Sequence, residues 1–330
     1  MFFSLIIPVY NRPEEIDELL ASLSVQTYGK EFEIVIIEDG SAVPCGHIIE
    51  KFKEFLNITY HYKANTGPGD SRNFGMRMAK GEYFLIFDSD CIIPAHYLDE
   101  VERELNLGFV DFFGGPDKAL DSFSDIQKAI NFAMTSFITT GGIRGGSEKI
   151  DKFQPRSFNM GISRKAFVES EGFGNIHPGE DPDLAIRLWK LGCTSRLFQN
   201  AYVYHKRRID WKKFSVQVNK FGKARPILNE WHPQYVKPAY FLPVAFVLGL
   251  YVSLTFSILI HWYFILPYAF YCLLVATVSA VENRSIRIGI LSVEAILRQF
   301  IGYGHGFMLS FYRISIQRMK PEAAFPELFF

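Results

Sequence analysis

The chain has 330 residues, and its 35 Lys and Arg residues balance its 35 Asp and Glu residues. Because the net charge is zero, no overall field attracts it to nucleic acid, and we expect no nucleic-acid partner. Its four cysteines are scattered without a C-x-x-C pair, which argues against a disulfide framework or a zinc site and fits a reducing cytoplasm.

The N-terminal part alternates between predicted strands and helices. Apolar runs predict four strands, at residues 4–9, 33–37, 58–62 and 83–87. The first run lacks a basic region and contains Pro8, so it predicts a strand and not a signal peptide. Strands that alternate with helices predict an α/β fold with a mostly parallel sheet, which binds ligands at the carboxyl ends of its strands.

Two acids, Asp88 and Asp90, follow the fourth predicted strand with one residue between them. In an extended chain they point the same way, and two close carboxylates both stay ionised when a cation lies between them. Mg²⁺ and Mn²⁺ prefer carboxylate oxygens and keep positions open for phosphate oxygens. The alternative interpretation of this pattern is an Asp-rich turn that binds no ligand.

The second half of the soluble part is less regular, with one clear helix beginning near residue 180. Leu184, Leu188 and Leu191 form its apolar face, and Pro182 near its start predicts Asp181 as the N-cap. Residues 205–225 carry eight Lys or Arg residues against one Asp. This basic segment could supply positive charge to a departing diphosphate, or lie close to a membrane.

The segment from Ala239 to Val281 has 43 residues and contains no Asp, Glu, Lys or Arg. This length predicts a transmembrane helical hairpin, with spans at about 239–260 and 262–282, since one span takes ~20 residues. Basic residues flank both ends and predict that both flanks are cytoplasmic. A buried hairpin in a soluble domain is the alternative. The later stretch 300–312 is short for a span, and its glycines argue against a helix.

Several segments resemble the inverting family 2 glycosyltransferases, whose catalytic domain has the GT-A fold. Residues 4–12 (SLIIPVYNR) are similar to the first strand of that family, and residues 38–41 (EDGS) to its nucleotide-binding turn, more often DDGS. The other similar segments are 67–73 (GPGDSRN), 88–90 (DSD), 159–161 (NMG) and 179–184 (GEDPDL). The resemblance covers roughly residues 1–225. That stretch lacks the Q-x-x-R-W motif of processive members, which disfavours cellulose-type synthesis.

The resemblance implies a site for a nucleotide-diphosphate sugar, expected to be a UDP-sugar. The donor-binding residues that it implies are Pro8, Tyr10, Glu38, Asp39, Arg72, Asp88, Ser89 and Asp90. Asp39 is expected to accept a hydrogen bond from the base. Glu38 departs from the common Asp by one methylene, so either it contacts the donor or it is a solvated turn acid. Arg72 either binds the base or diphosphate or is a surface helix arginine.

The resemblance also implies a divalent cation, Mg²⁺ or Mn²⁺. Asp90 is the expected direct ligand, and Asp88 is expected on the ribose or on a metal-bound water. His205 is the third candidate ligand, with a structural role as its alternative. Asp181 matches the position of the base that deprotonates the acceptor hydroxyl, and Glu180 is the second acid on the acceptor side.

These observations predict a membrane-anchored glycosyltransferase that transfers a sugar, with inversion, to a hydroxyl of a lipid-linked glycan or another membrane-proximal acceptor. The predicted parts are a GT-A catalytic domain (1–230), a transmembrane hairpin (231–283) and a cytoplasmic, membrane-proximal segment (284–330). The catalytic domain is expected at the cytoplasmic face of the cell membrane, where the chain contacts membrane lipid. The alternatives are transfer to a polyprenyl phosphate and a non-catalytic nucleotide-sugar-binding membrane tether.

Overall fold

The computed structural model of this chain describes residues 1–120, 122–141, 153–206 and 210–330. Arg207 and Arg208 of the basic segment lie outside these ranges. The chain divides into two compact units. The first comprises residues 1–118, 146–206 and 330, and the second comprises residues 119–145 and 207–329. The three-part division at residues 230 and 283 stays a prediction about domains.

Strands occur in the first unit. They are β1 (Phe3–Val9), β2 (Phe32–Asp39), β3 (Ile58–Lys63), β4 (Tyr83–Phe87), β5 (Cys91–Ile92), β6 (Phe112–Gly114), β7 (Asp117–Lys118), β8 (Asn159–Ser163), β9 (Ser195–Leu197) and β10 (Val203–His205). Seven of them form one sheet in the order β3-β2-β1-β4-β8-β6-β9, and three form a second in the order β5-β10-β7. In the larger sheet β3, β2, β1 and β4 are parallel, whereas β8 is antiparallel to β4 and β6.

Helices occur in both units. They are α1 (Pro13–Leu23), α2 (Gly46–Ile49), α3 (Pro68–Met78), α4 (Tyr97–Leu107), α5 (Asp125–Thr135), α6 (Phe137–Thr140), α7 (Arg164–Ser170), α8 (Glu180–Lys190), α9 (Trp211–Trp231), α10 (Leu242–Leu259), α11 (Leu266–Glu282), α12 (Ile286–Phe311) and α13 (Pro321–Ala324). Short 3₁₀ helices lie at Pro233–Tyr235, Pro238–Phe241, Trp262–Ile265 and Pro326–Leu328, and a π-helical turn at Tyr312–Ile316.

Two apolar cores cover the two faces of the larger sheet. Because successive strand residues face opposite sides, Leu5 packs on one face with Leu19 of α1, and Ile6 packs on the other with Leu184 of α8. The predicted α/β fold with a mostly parallel sheet is confirmed.

The second unit is helical in its described residues, and α5, α9 and α12 share one apolar cluster. Two of its segments, Pro238–Leu259 and Trp262–Glu282, are long and apolar enough to cross a membrane by length and composition. The most apolar windows of these segments are 6% and 11% buried. The two predicted apolar helices are therefore present, with surfaces that the protein leaves largely uncovered.

The prediction that glycines weaken the stretch 300–312 as a helix is wrong, because α12 runs through it. A Cβ atom on Gly302 would lie 2.7 Å from the side chain of Val218, and one on Gly306 would lie 2.3 Å from the carbonyl oxygen of Asn219. These glycines allow the backbones of α9 and α12 to approach closely. The packing of the two helices outweighs the low intrinsic helix propensity of glycine.

Candidate active site

The carboxyl ends of β1, β2 and β4 lie side by side, because these strands are parallel neighbours. Asp39 is the last residue of β2, and Asp88 and Asp90 follow β4. Arg12 lies in the turn between β1 and α1. The structure therefore gathers these charged side chains at the edge where open α/β sheets bind ligands.

Asp90 is a buried carboxylate between two basic side chains. Arg12 pairs with its Oδ2 atom, and Nε2 of His205 lies 3.1 Å from its Oδ1 atom. Burial favours the neutral acid, but His205 and Arg12 outweigh it and hold the pKa of Asp90 far below its usual range. Asp90 is therefore ionised at neutral pH.

The smaller sheet positions His205. As the last residue of β10, it pairs in register with Cys91 of β5, and the N–H of Lys206 donates to the carbonyl oxygen of Asp90 at 3.0 Å. The ring of Phe158 stacks on the imidazole with 4.6 Å between centroids. One ligand atom each from Asp90, Cys91 and His205 lie within 4.8 Å of one another, which makes this group a candidate metal site.

The chemistry of this group fits a divalent cation. Asp90 supplies a buried Oδ1 atom that makes no hydrogen bond of regular geometry among the described residues, and Nε2 of His205, a second possible ligand atom, lies 3.1 Å from it. The Cys91 thiol is a softer ligand and suits Mg²⁺ or Mn²⁺ poorly. Asp88 is a candidate of the metal site that the sequence predicts on the ribose or on a metal-bound water. The structure pairs it with Arg72 at 2.7 Å, and among the described residues it is not part of this group, so its role at the ion stays a prediction.

Arg72 bridges the donor side of the site and α8. Its guanidinium is buried, and it donates to Oδ1 of Asp88 at 2.7 Å and to Oε1 of Glu180 at 3.1 Å. The centre of the guanidinium lies 5.3 Å from the ring centroid of Phe173. The alternative interpretation of Arg72 as a surface arginine is therefore wrong.

Glu180 is engaged through both of its carboxylate oxygens. Oε1 lies 2.9 Å from Nδ1 of His177 and also accepts from Arg72, and Oε2 accepts from the N–H of Gly179 at 2.9 Å. Burial would raise its pKa, but His177 and Arg72 outweigh this effect and lower the pKa of Glu180 to about 2. Glu180 thus anchors Arg72 and His177 and is poorly suited to accept a proton.

Asp181 has the opposite electrostatic character. Its Oδ1 atom is buried and makes no hydrogen bond within the residues that the structure describes. Burial and then the charge of Glu180 raise the pKa of Asp181 to about 6. A carboxylate with a free oxygen atom and a pKa close to neutrality has the properties of a general base.

The predicted N-cap role of Asp181 is wrong. The helix α8 begins at Glu180, and its N-cap is Gly179, which has a φ of 133°. Glycine adopts this backbone conformation readily because it has no Cβ atom. The helix therefore starts before Asp181, and the carboxylate of Asp181 is not required for capping.

Asp39 is held at the start of α3. Its Oδ1 atom accepts from Nζ of Lys63 at 2.6 Å and from the N–H of Thr66 at 3.0 Å, and its Oδ2 atom accepts from the N–H of Gly67 at 3.1 Å. These contacts fix the carboxylate at the edge of the sheet. Its hydrogen bond to a nucleotide base stays a prediction.

Glu38 lies in the core of the first unit, with a fully buried side chain. Its carboxylate accepts hydrogen bonds from the hydroxyl of Ser41, from the N–H of Cys45 at 2.7 Å and from the hydroxyl of Tyr60 at 3.2 Å. The alternative of a solvated turn acid is therefore wrong. Its contact with the donor stays a prediction.

The other predicted donor-binding residues lie at the same edge. Pro8 is half-buried in β1, Tyr10 follows that strand and is 52% exposed, and Ser89 is buried between the two acids. An exposed aromatic ring beside Asp39 and Asp90 offers a surface for stacking, so the expected role of Tyr10 in donor binding remains a prediction.

Sequence reasoning missed Arg12, His177 and Lys63, which pair with the acids of the site. Arg12 lies 78 residues from Asp90 in the chain, and Lys63 lies 24 residues from Asp39. No local pattern identifies such partners. Of the three, Arg12 alone has a signal in the sequence, because it is the last residue of the motif at 4–12.

Comparison with protein families identifies the chain. The sequence profile described as Glycosyl transferase family 2 matches residues 4–170, about half of the chain. The chain belongs to glycosyl transferase family 2. A second profile, Glycosyl transferase family group 2, matches residues 155–277. The predicted family is confirmed.

Curated relatives of this family 2 chain are longer proteins. Poly(ribitol-phosphate) beta-N-acetylglucosaminyltransferase TarS of Staphylococcus aureus is 42% identical over 103 residues, which are 30% of this chain and 18% of TarS. Chondroitin synthase of Escherichia coli is 26% identical over 239 residues, which are 62% of this chain and 34% of that protein. The chain thus spans about a third or less of the length of these two relatives.

Solved structures of glycosyltransferases share the fold. The crystal structure of residues 1–349 of S. aureus TarS has a TM-score of 0.52 at 19% identity, covering 96% of this chain and 92% of that one. The mannosyltransferase PcManGT from Pyrobaculum calidifontis, solved with GDP-Man and Mn²⁺, has a TM-score of 0.56 at 15% identity, covering 91% and 86%. The predicted GT-A fold is therefore confirmed.

Proposed function

We propose that this chain transfers a sugar, with inversion, from a UDP-sugar to a hydroxyl of a lipid-linked or other membrane-proximal glycan. The observation that carries the proposal is Arg72, which joins Asp88 at the donor side to Glu180, next to Asp181, the acid with a raised pKa. The buried Arg72 cation suits a departing diphosphate, and the Asp181 carboxylate, whose Oδ1 atom makes no hydrogen bond among the described residues, suits a base.

The reaction assigns a separate task to each acid. The acceptor oxygen attacks the anomeric carbon from the face opposite the diphosphate, the bond from that carbon to the diphosphate oxygen breaks, and Asp181 takes the hydroxyl proton. Glu180 cannot share this task, because, despite its burial, its ion pairs with His177 and Arg72 lower its pKa to about 2 and so make it a weak base. Arg72 offers positive charge to the leaving diphosphate while Glu180 and Asp88 hold it in place.

Asp90 and His205 would hold a divalent cation of the Mg²⁺ or Mn²⁺ type. Such an ion supplies positive charge to the diphosphate oxygens when it is bound. The structure of PcManGT with GDP-Man and Mn²⁺ supports this choice by analogy. The contribution of the protein is to keep the Asp90 carboxylate ionised and correctly oriented by means of β10.

Radiolabelled sugars test the function directly. Membranes that contain the full chain should move label from one member of a panel of nucleotide sugars into a lipid-extractable glycan, with UDP-sugars most active. UDP-GlcNAc belongs in this panel because TarS has been solved in complex with it. Label that enters lipid in a mild-acid-labile phosphodiester would instead indicate transfer to a polyprenyl phosphate, and no transfer from any donor would refute the proposal.

The same proposal places the hairpin of α10 and α11 in the membrane, crossing it twice with both flanks cytoplasmic. Apolar side chains on both helices are strongly exposed, for example Ile258 at 83% and Phe270 at 68%. Exposed apolar surface of this extent is unfavourable in water but favourable in lipid. The basic flanks Lys237, Arg284 and Arg287 favour the cytoplasmic side.

Helix α9 of the same unit supports a membrane-proximal position. Phe214 and Val218 are buried in the cluster with α12, whereas Lys212, Lys213 and Lys220 project roughly to the opposite side of the helix. A lysine-rich face is attracted to the anionic lipids of the cytoplasmic leaflet. This face and the basic flanks of the hairpin are thus expected on one side of the membrane.

Cysteine labelling tests this topology. An impermeant maleimide applied to intact cells should label a cysteine placed at His261 and should leave one placed at Arg284 unlabelled. The wild-type chain, with its own four cysteines, gives the background. Labelling at Arg284 from outside would overturn the topology, and extraction of the protein by high salt alone would overturn the anchor.

A further inference from the structure

We infer that Arg12 acts as an internal cation that holds Asp90 in the metal-free protein and leaves it for the nucleotide diphosphate when a divalent ion binds. The inference rests on the proposed function, because it takes Asp90 as the metal ligand and a nucleotide diphosphate as the donor. It makes Arg12 a positioning residue that couples the binding of the ion to the binding of the nucleotide.

The contacts of Asp90 carry this inference. Arg12 occupies its Oδ2 atom, and His205 lies 3.1 Å from its Oδ1 atom. Both oxygens of the expected metal ligand therefore face basic groups. Since a divalent ion on Asp90 would repel a guanidinium on the same carboxylate, the two cations compete for this position.

Exposure shows which of the two groups is freer to move. The side chain of Arg12 is 25% exposed, whereas that of His205 is 13% exposed. His205 is fixed by β10 and by the stacked ring of Phe158, but Arg12 lies in the turn between β1 and α1. Arg12 is thus the more exposed and the less constrained of the two basic groups on Asp90.

The other cationic side chains close to the site pair with acids other than Asp90, the expected direct metal ligand. Arg72 pairs with Asp88 and Glu180, and Lys206 pairs with Glu18. Arg12 differs because its ion-pair partner within the described residues is Asp90 itself. A displaced guanidinium can donate two parallel hydrogen bonds to phosphate oxygens, so its release favours diphosphate binding.

Titration of the full chain in detergent with Mn²⁺ tests the inference, with free Mn²⁺ followed by electron paramagnetic resonance. Without nucleotide, Arg12→Met should bind Mn²⁺ about tenfold more tightly than wild type, because the competing cation is gone. At saturating Mn²⁺ the same variant should bind UDP about tenfold more weakly, because one charge-assisted contact is lost. Equal Mn²⁺ affinity in both proteins would overturn the inference.

Lys206→Met is the matched control. Its backbone N–H binds the carbonyl oxygen of Asp90, whereas its ammonium pairs with Glu18 and its side chain is 26% exposed. Its removal therefore deletes one positive charge from a residue next to Asp90 without touching the Asp90 carboxylate. A general electrostatic effect would tighten Mn²⁺ binding equally in both variants, which would overturn the inference. Should Arg12→Met not fold, Arg12→Lys provides the test. A lysine still competes for Asp90, but it lacks the planar guanidinium that donates two parallel hydrogen bonds. It should keep near wild-type Mn²⁺ affinity and bind UDP more weakly, and unchanged UDP binding would refute the role.

These outcomes are separable from those of the proposed function. Tighter Mn²⁺ binding by Arg12→Met together with no sugar transfer from any donor would refute the function and leave the inference standing. Efficient sugar transfer together with equal Mn²⁺ affinity in wild type and Arg12→Met would refute the inference and leave the proposed function standing.

Discussion

The Asp181→Asn chain is expected to bind its donor normally and to transfer sugar on the order of 10²–10⁴ times more slowly than wild type. The amide has nearly the same size as the carboxylate, but it cannot take the proton of the acceptor hydroxyl. Isothermal titration with UDP and single-turnover transfer measure the two quantities separately. Near-native transfer would contradict the base assignment and favour a polyprenyl phosphate acceptor, whose oxygen arrives already deprotonated.

The same substitution should stabilise the protein at neutral pH. The folded protein raises the pKa of Asp181 from 3.8 to about 6, so the ionised side chain disfavours folding above pH 6. This penalty disappears as the pH falls below 3.8, where the acid is neutral in both states. At about 1.4 kcal/mol per pKa unit, the gain in unfolding free energy is at most about 3 kcal/mol at pH 7.5. Thermal melts at pH 7.5 should show this gain as a higher melting temperature for Asp181→Asn than for wild type.

The pH dependence of transfer provides an internal check on this assignment. Because the base acts when ionised, kcat/KM should fall as the pH drops below about 6, the raised pKa of Asp181. In Glu180→Gln a neighbouring negative charge is lost, so the pKa of Asp181 and the acidic limb of the profile should both move to lower pH. A limb that stays in place would show that another group titrates.

Asp183→Asn is the matched control within the same helix. Asp183 is buried and accepts from Arg187 at 2.9 Å, and Arg187 in turn donates to the carbonyl oxygen of Gly172 at 2.6 Å, in the segment before the helix. We expect this variant to have a lower melting temperature than wild type and to keep its transfer rate per folded molecule. The pair of variants thus separates a loss of stability from a loss of chemistry.

The Asp90→Asn chain is expected to lose the dependence of UDP binding on divalent ions and to bind UDP at least tenfold more weakly. An amide has no charge to offer the ion, and the substitution also leaves Arg12 without its partner. Calorimetry with UDP and Mn²⁺, with and without EDTA, measures the effect. Binding that is unchanged by the substitution and insensitive to EDTA would refute the metal assignment.

Asp88→Asn separates the two acids of the motif. The structure commits Asp88 to Arg72 and leaves Asp90 in the candidate metal group. The Asp88 variant should therefore keep Mn²⁺ binding within a few-fold of wild type while its UDP binding weakens through the released Arg72. Equal loss of Mn²⁺ binding in both variants would show that both acids ligate the ion.

Some local rules of the sequence failed where tertiary contacts dominated. Glycines at 302 and 306 predicted a weak helix, but the close approach of α9 makes them the residues that fit there. Pro182 suggested Asp181 as the N-cap, but Gly179 reaches a backbone conformation that starts α8 before it. In both cases the outcome depends on the backbone geometry of the folded chain, which the residue types alone do not specify.

The sequence by itself determined the family, the α/β order of the first unit and the two apolar helices, and it indicated the acids Asp88, Asp90 and Asp181 as candidate site residues. Short apolar runs and motifs indicate these features, because a buried strand face and a buried helix face each require apolar residues at a regular spacing in the sequence. The tertiary structure alone decided the partners of those acids. It placed Arg12 and His205 on Asp90, and Arg72 between Asp88 and Glu180. Charges far apart in the chain meet when parallel strands end at one edge, and those contacts decide which carboxylate stays ionised and which can take a proton.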